Sequence, residues 1–498
     1  MKKQLAPSTL PPDLLPSLGR SFTRILLACL TFTLAAAPIA VANDRSANAP
    51  PNIVLILADD LGYGEVGCYG QRLIKTPHID RMAAEGMRFT QFYAGAPLCA
   101  SSRNVLLTGE HTGHCRVRDN GHPTIQTLRP GDVTLAEAIQ PAGYSNAIIG
   151  KWAIGGDIPE TGGRPEDQGF DHFFGYLNSV GAHNYYPEYL WRNREKVPLG
   201  NVVKKVGKGY AGFVGGRATK RVAYSHDLIM QESLQWIRDH RDQPFFLLLT
   251  PTIPHANPEA RKDIGNGTEV PDLGIYKDKP WTEQNKGHAA MITRLDSGVG
   301  DVLSLLKELD IDDQTLVIFT SDNGPHNEAG HNPEFFDANG PLREAKFSLW
   351  EGGIRVPTVM RWPSKIEAGQ VSDHVGYFGD FMATFCDLAG TEKPAPPHGL
   401  DSISFLPTIT GQQEKQQQHE FLYWELIGWS PREAVRFDNW KAFRAPLGYG
   451  DTLLFDLSKD LSEQQNVADL YPEVVRRAEH YMDASHVDNE HWKAPTKP

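Results

Sequence analysis

The chain alternates continuous apolar runs with stretches in which apolar residues recur every three or four positions. Residues 52–58 (NIVLILA) are apolar and rich in β-branched side chains, a pattern typical of a strand buried on both faces of a parallel sheet. Similar runs predict further strands over 147–149, 245–249 and 316–320. Helical periodicity predicts helices over 133–140, 225–240 and 283–309. Strands that alternate with helices favour an α/β domain with a mainly parallel sheet.

The pattern changes from about Gly399 onwards. Short strands are predicted there over 421–425, 434–437, 440–444 and 453–456, and a helix over 472–484. We therefore predict a catalytic α/β domain over residues 43–398 and a subdomain of antiparallel sheet and helix over 399–498. The segment 155–221 has little regular pattern, and in a regular domain such a segment usually forms a binding rim.

Residues 1–42 have the features of a signal peptide. Basic residues precede an apolar run over 25–38, and Ala40-Val41-Ala42 forms a small-x-small cleavage site. The apolar run is too short for a stable membrane span. We therefore expect an exported protein, either periplasmic or secreted.

The charge balance is acidic, because 61 acidic residues outnumber 49 basic ones and give a formal net charge of −12. No basic stripe stands out, which argues against a nucleic-acid partner. An anionic substrate would therefore need a local positive pocket. Few cysteines follow the signal peptide, so a disulfide scaffold is not expected, although a pairing of Cys68 with Cys115 stays open.

The stretch 97–109 (PLCASSRNVLLTG) carries the strongest chemical signal. It places Cys99 just before a predicted helix and Arg103 four residues later on the same side. The helix N-terminus offers unpaired N–H groups and a positive dipole end, and Arg103 adds a cation. These surroundings suit a nucleophile that acts on an anion.

Oxygen donors follow two of the predicted strands. Asp59 and Asp60 come after the first strand, and Asp322 and Asn323 come after the strand at 316–320. In open α/β sheets the active site usually lies at the carboxyl ends of the strands, which is where these four residues stand. Adjacent carboxylates repel one another unless a cation lies between them, and this donor set suits calcium or magnesium rather than zinc.

Three further motifs offer cationic or acidic groups. Lys151 follows a strand in Gly150-Lys151-Trp152, and Lys346 precedes Glu351-Gly352-Gly353 by five residues. His255 lies in a loop with prolines on both sides, and its unperturbed pKa near neutrality suits a general acid.

Taken in order, these five motifs resemble those of the type I, formylglycine-dependent sulfatases of the alkaline phosphatase superfamily. The resemblance covers roughly residues 50–360. It implies an alkaline-phosphatase-like sandwich with a large mixed, mainly parallel sheet and a small C-terminal antiparallel sheet subdomain. It also implies that a formylglycine-generating maturation enzyme oxidises Cys99. One calcium ion would then be bound by residue 99 together with Asp59, Asp60, Asp322 and Asn323.

The same resemblance implies a role for each remaining residue of the motifs. The hydrate of formylglycine at position 99 would attack sulfur, and Arg103 would hold it in position. Lys151 and Lys346 would bind the sulfate oxygens, and His255 would protonate the departing alcohol. The reaction is then the hydrolysis of a sulfate monoester.

The expected substrate is a sulfated carbohydrate, with galactose or an N-acetylhexosamine preferred and aryl sulfates as artificial substrates. Aromatic side chains pack well on sugar rings. We therefore expect that Ala182–Tyr186, Trp191 and Arg192 form a rim that faces the sugar, or that this aromatic loop simply packs on the domain.

Two positions depart from the family pattern. Ser101 stands where the family usually has proline, and Ala153 stands where it usually has histidine. Two alternatives therefore stay open. One is a phosphomonoester or phosphonate ester hydrolase on the same fold, for which His326 and His331 would be candidates for a second metal site. The other is a non-catalytic protein that binds sulfated glycans.

Overall fold

The computed structural model describes residues 49–120, 126–156, 162–207, 214–395, 401–428 and 430–496. The predicted signal peptide over 1–42 lies outside the described residues. None of the helices in these ranges combines the length and the apolar character needed to cross a membrane.

The strands are, in chain order, β1 (Asn52–Ala58), β2 (Met87–Tyr93), β3 (Ser145–Lys151), β4 (His172–Tyr176), β5 (Tyr189–Arg192), β6 (Glu195–Pro198), β7 (Val202–Lys205), β8 (Gly216–Lys220), β9 (Phe245–Thr250), β10 (Thr315–Ser321), β11 (Thr358–Arg361), β12 (Gln370–Tyr377), β13 (Leu422–Leu426), β14 (Arg432–Phe437), β15 (Trp440–Ala445) and β16 (Asp451–Asp456). The α-helices are α1 (Pro77–Ala84), α2 (Cys99–Thr108), α3 (Leu135–Ile139), α4 (Ser179–Ala182), α5 (Ser225–His240), α6 (Pro258–Ile264), α7 (Glu283–Glu308), α8 (Pro333–Phe336), α9 (Glu351–Ile354), α10 (Asp380–Ala389), α11 (Leu406–Ile409) and α12 (Pro472–Ser485).

A ten-stranded sheet forms the centre of the described chain, in the order β12-β2-β11-β10-β1-β9-β3-β4-β5-β6. Strands β10, β1, β9, β3 and β4 are parallel to one another. Strand β11 is antiparallel to both of its neighbours, and β5 and β6 continue the other side of the sheet in antiparallel fashion. The predicted α/β fold with a large mixed sheet is confirmed.

The central strand β1 is buried on both faces. Ile53 and Leu55 belong to one hydrophobic core, whereas Val54 and Ile56 belong to the other. Helices α2, α3 and α10 contribute to the first core, and α1, α5 and α7 contribute to the second. Because successive side chains of a strand point to opposite faces, a continuous apolar run is what such a two-core sandwich requires.

The sequence pattern missed several strands at the periphery of the sheet. The segment 155–221, expected to lack regular structure, contains β4 to β8 in its described parts. Strands β2 and β12 were also not predicted. In β12 exposed and half-buried residues prevail up to Gly376, and β6 is largely exposed, so neither carries a long apolar run. Pairing with a neighbouring strand, rather than burial of both faces, defines these strands.

The C-terminal part contains the predicted small antiparallel sheet, in the order β13-β14-β15-β16. Helix α12 covers it, and Tyr423, Val435, Leu454 and Met482 form part of their shared core. The sheet is linked to the large domain by a buried ion cluster. Lys441 Nζ on β15 lies 2.9 Å from Glu351 Oε1 at the start of α9 and 3.2 Å from Glu463 Oε1.

The ion cluster predicts a large effect of a single substitution. Burial and the neighbouring Glu351 carboxylate raise the pKa of Glu463 to about 7, and the Lys441 ammonium opposes this rise. We expect Lys441→Ala to lower the free energy of unfolding by about 3–5 kcal/mol, because it leaves buried charge without a partner. Urea unfolding followed by tryptophan fluorescence measures the change.

The matched control is Lys459→Ala. Lys459 also pairs with a carboxylate, that of Asp456, but its side chain is 75% exposed. Exposed ion pairs contribute little to the free energy of unfolding. The midpoint of urea unfolding should therefore stay at the wild-type value. Equal midpoints for the two variants would contradict a stabilising role of the Lys441 cluster.

Candidate active site

Six segments of the chain meet at one edge of the central sheet. Strands β1, β9, β3 and β10 are parallel, so their carboxyl ends lie together. Strand β2 is antiparallel to β11, which is antiparallel to β10, so the chain after β2 reaches the same edge and leads into α2. The chain before β11 starts from this edge for the same reason. The topology therefore assembles a site from distant sequence positions.

Cys99 is the first residue of α2 and is buried. Its Sγ lies 3.5 Å from Asp59 Oδ1 and 3.9 Å from Asp60 Oδ1. Burial, together with nearby carboxylates, raises the pKa of the Cys99 thiol well above its usual value. The thiol is therefore neutral and a weak nucleophile. Like Cys99, the other three described cysteines are free, so the disulfide between Cys68 and Cys115 is not formed.

Two buried lysines bring positive charge to the cysteine. Lys151 Nζ, at the end of β3, donates to Asp59 Oδ2 at 2.7 Å. Lys346 Nζ, from the chain before β11, donates to Asp60 Oδ2 at 2.8 Å. Although burial alone would lower the pKa of each lysine, the neighbouring aspartates raise it. Both side chains are therefore ammonium ions held in place by hydrogen bonds.

Arg103 joins two segments of the site. Its Nε and Nη2 donate to Asp322 Oδ2 at 3.1 and 2.8 Å, and its Nη1 donates to the carbonyl oxygen of Lys151 at 2.6 Å. One turn of α2 separates Arg103 from Cys99, so the helix places both on the side that faces the carboxylates. The guanidinium thus fixes Asp322 and the backbone that carries Lys151.

The oxygen donors form a compact group that could hold a cation. The backbone N–H of Asp60 donates to Asp322 Oδ1 at 3.1 Å, and Asn323 Nδ2 donates to Asp60 Oδ1 at 2.7 Å. Asn323 Oδ1 is buried and has no hydrogen-bond partner among the described residues. Burial and the Asp59 carboxylate raise the pKa of Asp322. Crowded carboxylates and an orphaned amide oxygen fit a hard divalent cation such as calcium.

His255 lies in the loop after β9, beside Lys346. Its Nδ1 lies 2.7 Å from the carbonyl oxygen of Ala256, so this nitrogen carries the proton of the neutral ring. Its Nε2 lies 3.2 Å from Lys346 Nζ and 3.4 Å from Asp60 Oδ2. Burial lowers the pKa of His255 to about 3, so the ring is neutral and accepts from Lys346.

The sulfatase family model matches residues 51–391, which contain every part of this site. The chain belongs to the sulfatase family. A model described as the C-terminal region of N-sulphoglucosamine sulphohydrolase matches residues 344–485. The family predicted from the motifs is confirmed.

Individual sulfatases are similar over most of the chain. N-acetylgalactosamine-6-sulfatase of Homo sapiens is 34% identical over 372 residues, which cover 72% of this chain and 66% of that protein. The chain thus spans about two thirds of the length of this relative. Arylsulfatase A of Homo sapiens is 31% identical over 88% of both chains. Both relatives are sulfatases, the enzyme class that the sequence predicted.

A solved structure extends the likeness to the whole architecture. The crystal structure of Ps i-CgsB in complex with k-i-k-neocarrahexaose has a TM-score of 0.72 and 26% sequence identity. The superposition covers 90% of this chain and 95% of that one. Both the large sheet and the small C-terminal sheet therefore fit the sulfatase fold.

The structure also brings residues to this site that lie outside the motifs. Glu328 Oε2 accepts from Lys346 Nζ at 3.1 Å. His183 stacks on His255 with ring centroids 5.1 Å apart and an interplanar angle of 15°. His183 also lies 3.1 Å from Glu259 Oε2. A lone glutamate in a loop carries no spacing signal, so only the tertiary structure identifies Glu328, whereas His183 lies in the segment predicted as a rim.

The predicted aromatic rim is only partly correct. His183 reaches the site, but Tyr185 and Tyr186 are buried, and the Tyr185 hydroxyl donates to the carbonyl oxygen of His255. Trp191 packs against the guanidinium of Arg164, and Arg192 forms an ion pair with Glu232. Tyr185 therefore supports the His255 loop instead of facing a sugar, and Tyr186 packs against Tyr224.

The two departures from the family pattern have different structural settings. Ser101 is buried in the first turn of α2, where its hydroxyl donates to the carbonyl oxygen of Leu98 at 3.3 Å. Ala153 follows β3 with a φ of 71°, a left-handed conformation that is uncommon for alanine. Its N–H donates to the carbonyl oxygen of Leu177 at 2.9 Å. The methyl side chain of Ala153 offers no hydrogen bond in place of the usual histidine.

Proposed function

We propose that this protein is a sulfuric ester hydrolase that removes sulfate from a carbohydrate sulfate monoester. One observation carries the proposal. Two buried ammonium groups, Lys151 and Lys346, and the His255 ring converge beside Cys99 at the edge of the sheet. Together with a divalent cation at the carboxylates, these groups would give the site the local positive charge that a small anionic substrate requires in an acidic protein.

Cys99 itself is proposed to be the precursor of a formylglycine, made by a maturation enzyme. Its neutral, buried thiol is poorly suited to direct attack, since thiolate is the nucleophilic form of cysteine. Formylglycine, in its hydrated form, would supply the nucleophile at this position. Arg103 would hold residue 99 in position from one turn further along α2.

A calcium ion is proposed beside residue 99, held by Asp59, Asp60, Asp322 and Asn323. The ion would neutralise negative charge on the sulfate group. Two observations support the assignment. Asn323 Oδ1 has no hydrogen-bond partner among the described residues, and the pKa of Asp322 is raised, as expected for oxygen donors without their cation. Arg103 keeps the Asp322 carboxylate oriented toward the group through its two hydrogen bonds.

The two lysines are proposed to bind the sulfate oxygens. Each ammonium has three N–H donors, and hydrogen bonds to Asp59 and Asp60 fix the orientation of Lys151 and Lys346 respectively. Lys151 has further donors that can point at the substrate. Lys346 also donates to His255 Nε2 and Glu328 Oε2, so a sulfate oxygen would replace one of these partners. Because both side chains are buried, their charges are weakly screened and act strongly on charge that develops in the transition state.

His255 is proposed to be the acid that protonates the leaving oxygen. Its Nε2 accepts a hydrogen bond from Lys346 Nζ, so this nitrogen must first take up a proton, which the negative charge of a bound sulfate would favour. The hydrogen bond from Nδ1 to the carbonyl of Ala256 fixes the tautomer that leaves Nε2 free to receive it. The Tyr185 hydroxyl holds the same loop through the His255 carbonyl.

The proposed substrate is a sulfated sugar of the galactose or N-acetylhexosamine type. Two similarities support this choice, one to an N-acetylgalactosamine-6-sulfatase and one to a structure that contains a neocarrahexaose. His183 stacks on His255 and pairs with Glu259, and these two residues would supply polar side chains for a sugar. Aryl sulfates would serve as artificial substrates.

The first prediction concerns residue 99. We expect peptide mass spectrometry of the protein, produced with a formylglycine-generating enzyme, to show residue 99 lighter than cysteine by the difference between a thiol and an aldehyde. Cys99→Ala should fold normally but lose sulfatase activity, because residue 99 supplies the nucleophile. Activity is measured with 4-nitrophenyl sulfate.

Cys68→Ala is the control, since Cys68 is a free cysteine outside the site. It should keep wild-type turnover. Wild-type turnover in Cys99→Ala would refute the proposal. Parallel assays with 4-nitrophenyl phosphate separate it from a phosphoester hydrolase, and catalysis of sulfate hydrolysis separates it from a glycan-binding protein.

The second prediction concerns the cation. After treatment with a chelator, added calcium should raise the thermal unfolding midpoint, because a ligand at 100 times its Kd stabilises the folded state by about 2.7 kcal/mol. Asp322→Asn should abolish this shift. Asp438→Asn removes an exposed carboxylate outside the site and should keep it. If millimolar calcium does not change the thermal unfolding midpoint of the wild-type protein, the metal assignment is wrong.

The third prediction tests the acid. His255→Ala should lower kcat for a sugar sulfate by about 10²–10⁴-fold, the usual contribution of general acid catalysis. The loss for 4-nitrophenyl sulfate should be much smaller, since nitrophenolate leaves without protonation. His480→Ala, which removes an exposed histidine of α12, is the control. Equal losses on both substrates would show that His255 is not the acid.

A further inference from the structure

Three buried histidines lie together outside the oxygen-donor group. His288 comes from α7, and His326 and His331 come from the segment after β10. Their ring centroids are 3.9 Å apart for His288 and His331, 4.8 Å for His326 and His331, and 5.7 Å for His288 and His326. One ring nitrogen from each histidine lies within 4.8 Å of the other two. We call these three residues the histidine cluster.

His288 is oriented as a metal ligand usually is. Its Nε2 lies 2.6 Å from Glu65 Oε1, and Glu65 Oε2 accepts the N–H of Gly62 at 2.8 Å. The carboxylate therefore fixes the proton on Nε2 and leaves the lone pair on Nδ1. Nδ1 is buried and has no hydrogen-bond partner among the described residues. Metal-binding histidines commonly donate their second ring nitrogen to a carboxylate in this way.

His331 is harder to explain as a structural residue. Both of its ring nitrogens are buried and lack a hydrogen-bond partner in the described chain. The backbone of His326 lies near the ring, but no hydrogen bond of normal geometry joins them. A buried polar group without a partner costs about 1–3 kcal/mol. A bound ion would remove this cost, because one nitrogen would become a ligand.

His326 completes the set. Its Nε2 lies 2.9 Å from the carbonyl oxygen of Pro254, which fixes the proton there. Its Nδ1 accepts the backbone N–H of Glu328 at 3.2 Å, which is a long contact. The lone pair on Nδ1 is thus occupied only by a weak hydrogen bond that an ion can replace.

We propose that His288, His326 and His331 bind one divalent transition-metal ion, with zinc as the ion that this ligand set favours. Neutral imidazole suits zinc and its neighbours, whereas calcium requires oxygen donors. Three histidines and a water are a ligand set that tetrahedral zinc takes. The His288 and His331 rings are stacked with an interplanar angle of 8°, so one ring must rotate for both lone pairs to meet at one ion. The site uses none of the residues proposed to hold calcium, so it does not depend on the proposed function.

Such an ion would connect parts of the chain that are distant in sequence. Through His288 it would join α7, and through the hydrogen bond to Glu65 it would join the short 3₁₀ helix Tyr63–Glu65 that follows β1. Through His326 and His331 it would fix the segment that carries Glu328, the partner of Lys346. The proposed role of the ion is therefore to hold these segments together. The cluster lies close to the site, since the ring centroids of His326 and His255 are 6.0 Å apart.

The test measures zinc binding to the untagged full chain. The protein is stripped with a chelator, saturated with calcium chloride and then titrated with zinc chloride against a chromophoric competitor. We expect about one equivalent of tightly bound zinc, confirmed by elemental analysis. Cobalt in place of zinc should give the visible absorption of a tetrahedral site. A wild-type chain that binds no zinc and gives no cobalt spectrum overturns the proposal, whatever the variants do.

Variants locate the site. His331→Asn and His288→Gln should each lose the zinc equivalent and the cobalt spectrum, with folding checked by circular dichroism. The matched control is His114→Asn, from a second group that His114 forms with His111 and Asp401. This control should retain both signals. Zinc that survives His331→Asn with unchanged affinity, or that is lost in His114→Asn instead, overturns the assignment to the histidine cluster.

Discussion

The structure depends on the burial of opposite charges at one edge of the central sheet. Asp59, Asp60 and Asp322 are almost fully excluded from solvent, and their charges are tolerated because Lys151, Lys346 and Arg103 donate hydrogen bonds to them. Removing two charges from water costs several kcal/mol per ion, so such a group needs good geometry to persist. The parallel strands provide that geometry, since each ends at the same edge.

This arrangement explains why the chemistry is possible in an acidic protein. The net charge of the chain is negative. Lys151, Lys346 and Arg103 offset the buried carboxylates at this edge of the sheet, so the proposed divalent cation would make it locally positive. The side chains are already held by hydrogen bonds, so little reorganisation is needed when a charged group binds. Tyr185 and Glu328 extend the same organisation to the loop and to Lys346.

The histidine cluster and the small C-terminal sheet both contact segments that carry residues of the candidate active site. Glu351 follows Lys346 by five residues and is bound by Lys441 of β15, so the small sheet fixes the chain that carries the lysine. Arg355 also pairs with Glu351, at 3.2 Å. The histidine cluster supports the other side of this region, next to Pro254 and Glu328.

The sequence alone determined the buried strands and the motif residues, because a strand covered on both faces must be continuously apolar and because reactive residues follow such strands at fixed spacings. The first helical turn likewise places Cys99 and Arg103 on one side by periodicity alone. Only the tertiary structure decided the peripheral strands β5 and β6, the neighbour Glu328, and that Tyr185 of the predicted rim packs on the domain while His183 reaches the site. These features arise from contacts between segments far apart in the chain. Local patterns of hydrophobicity do not predict such contacts.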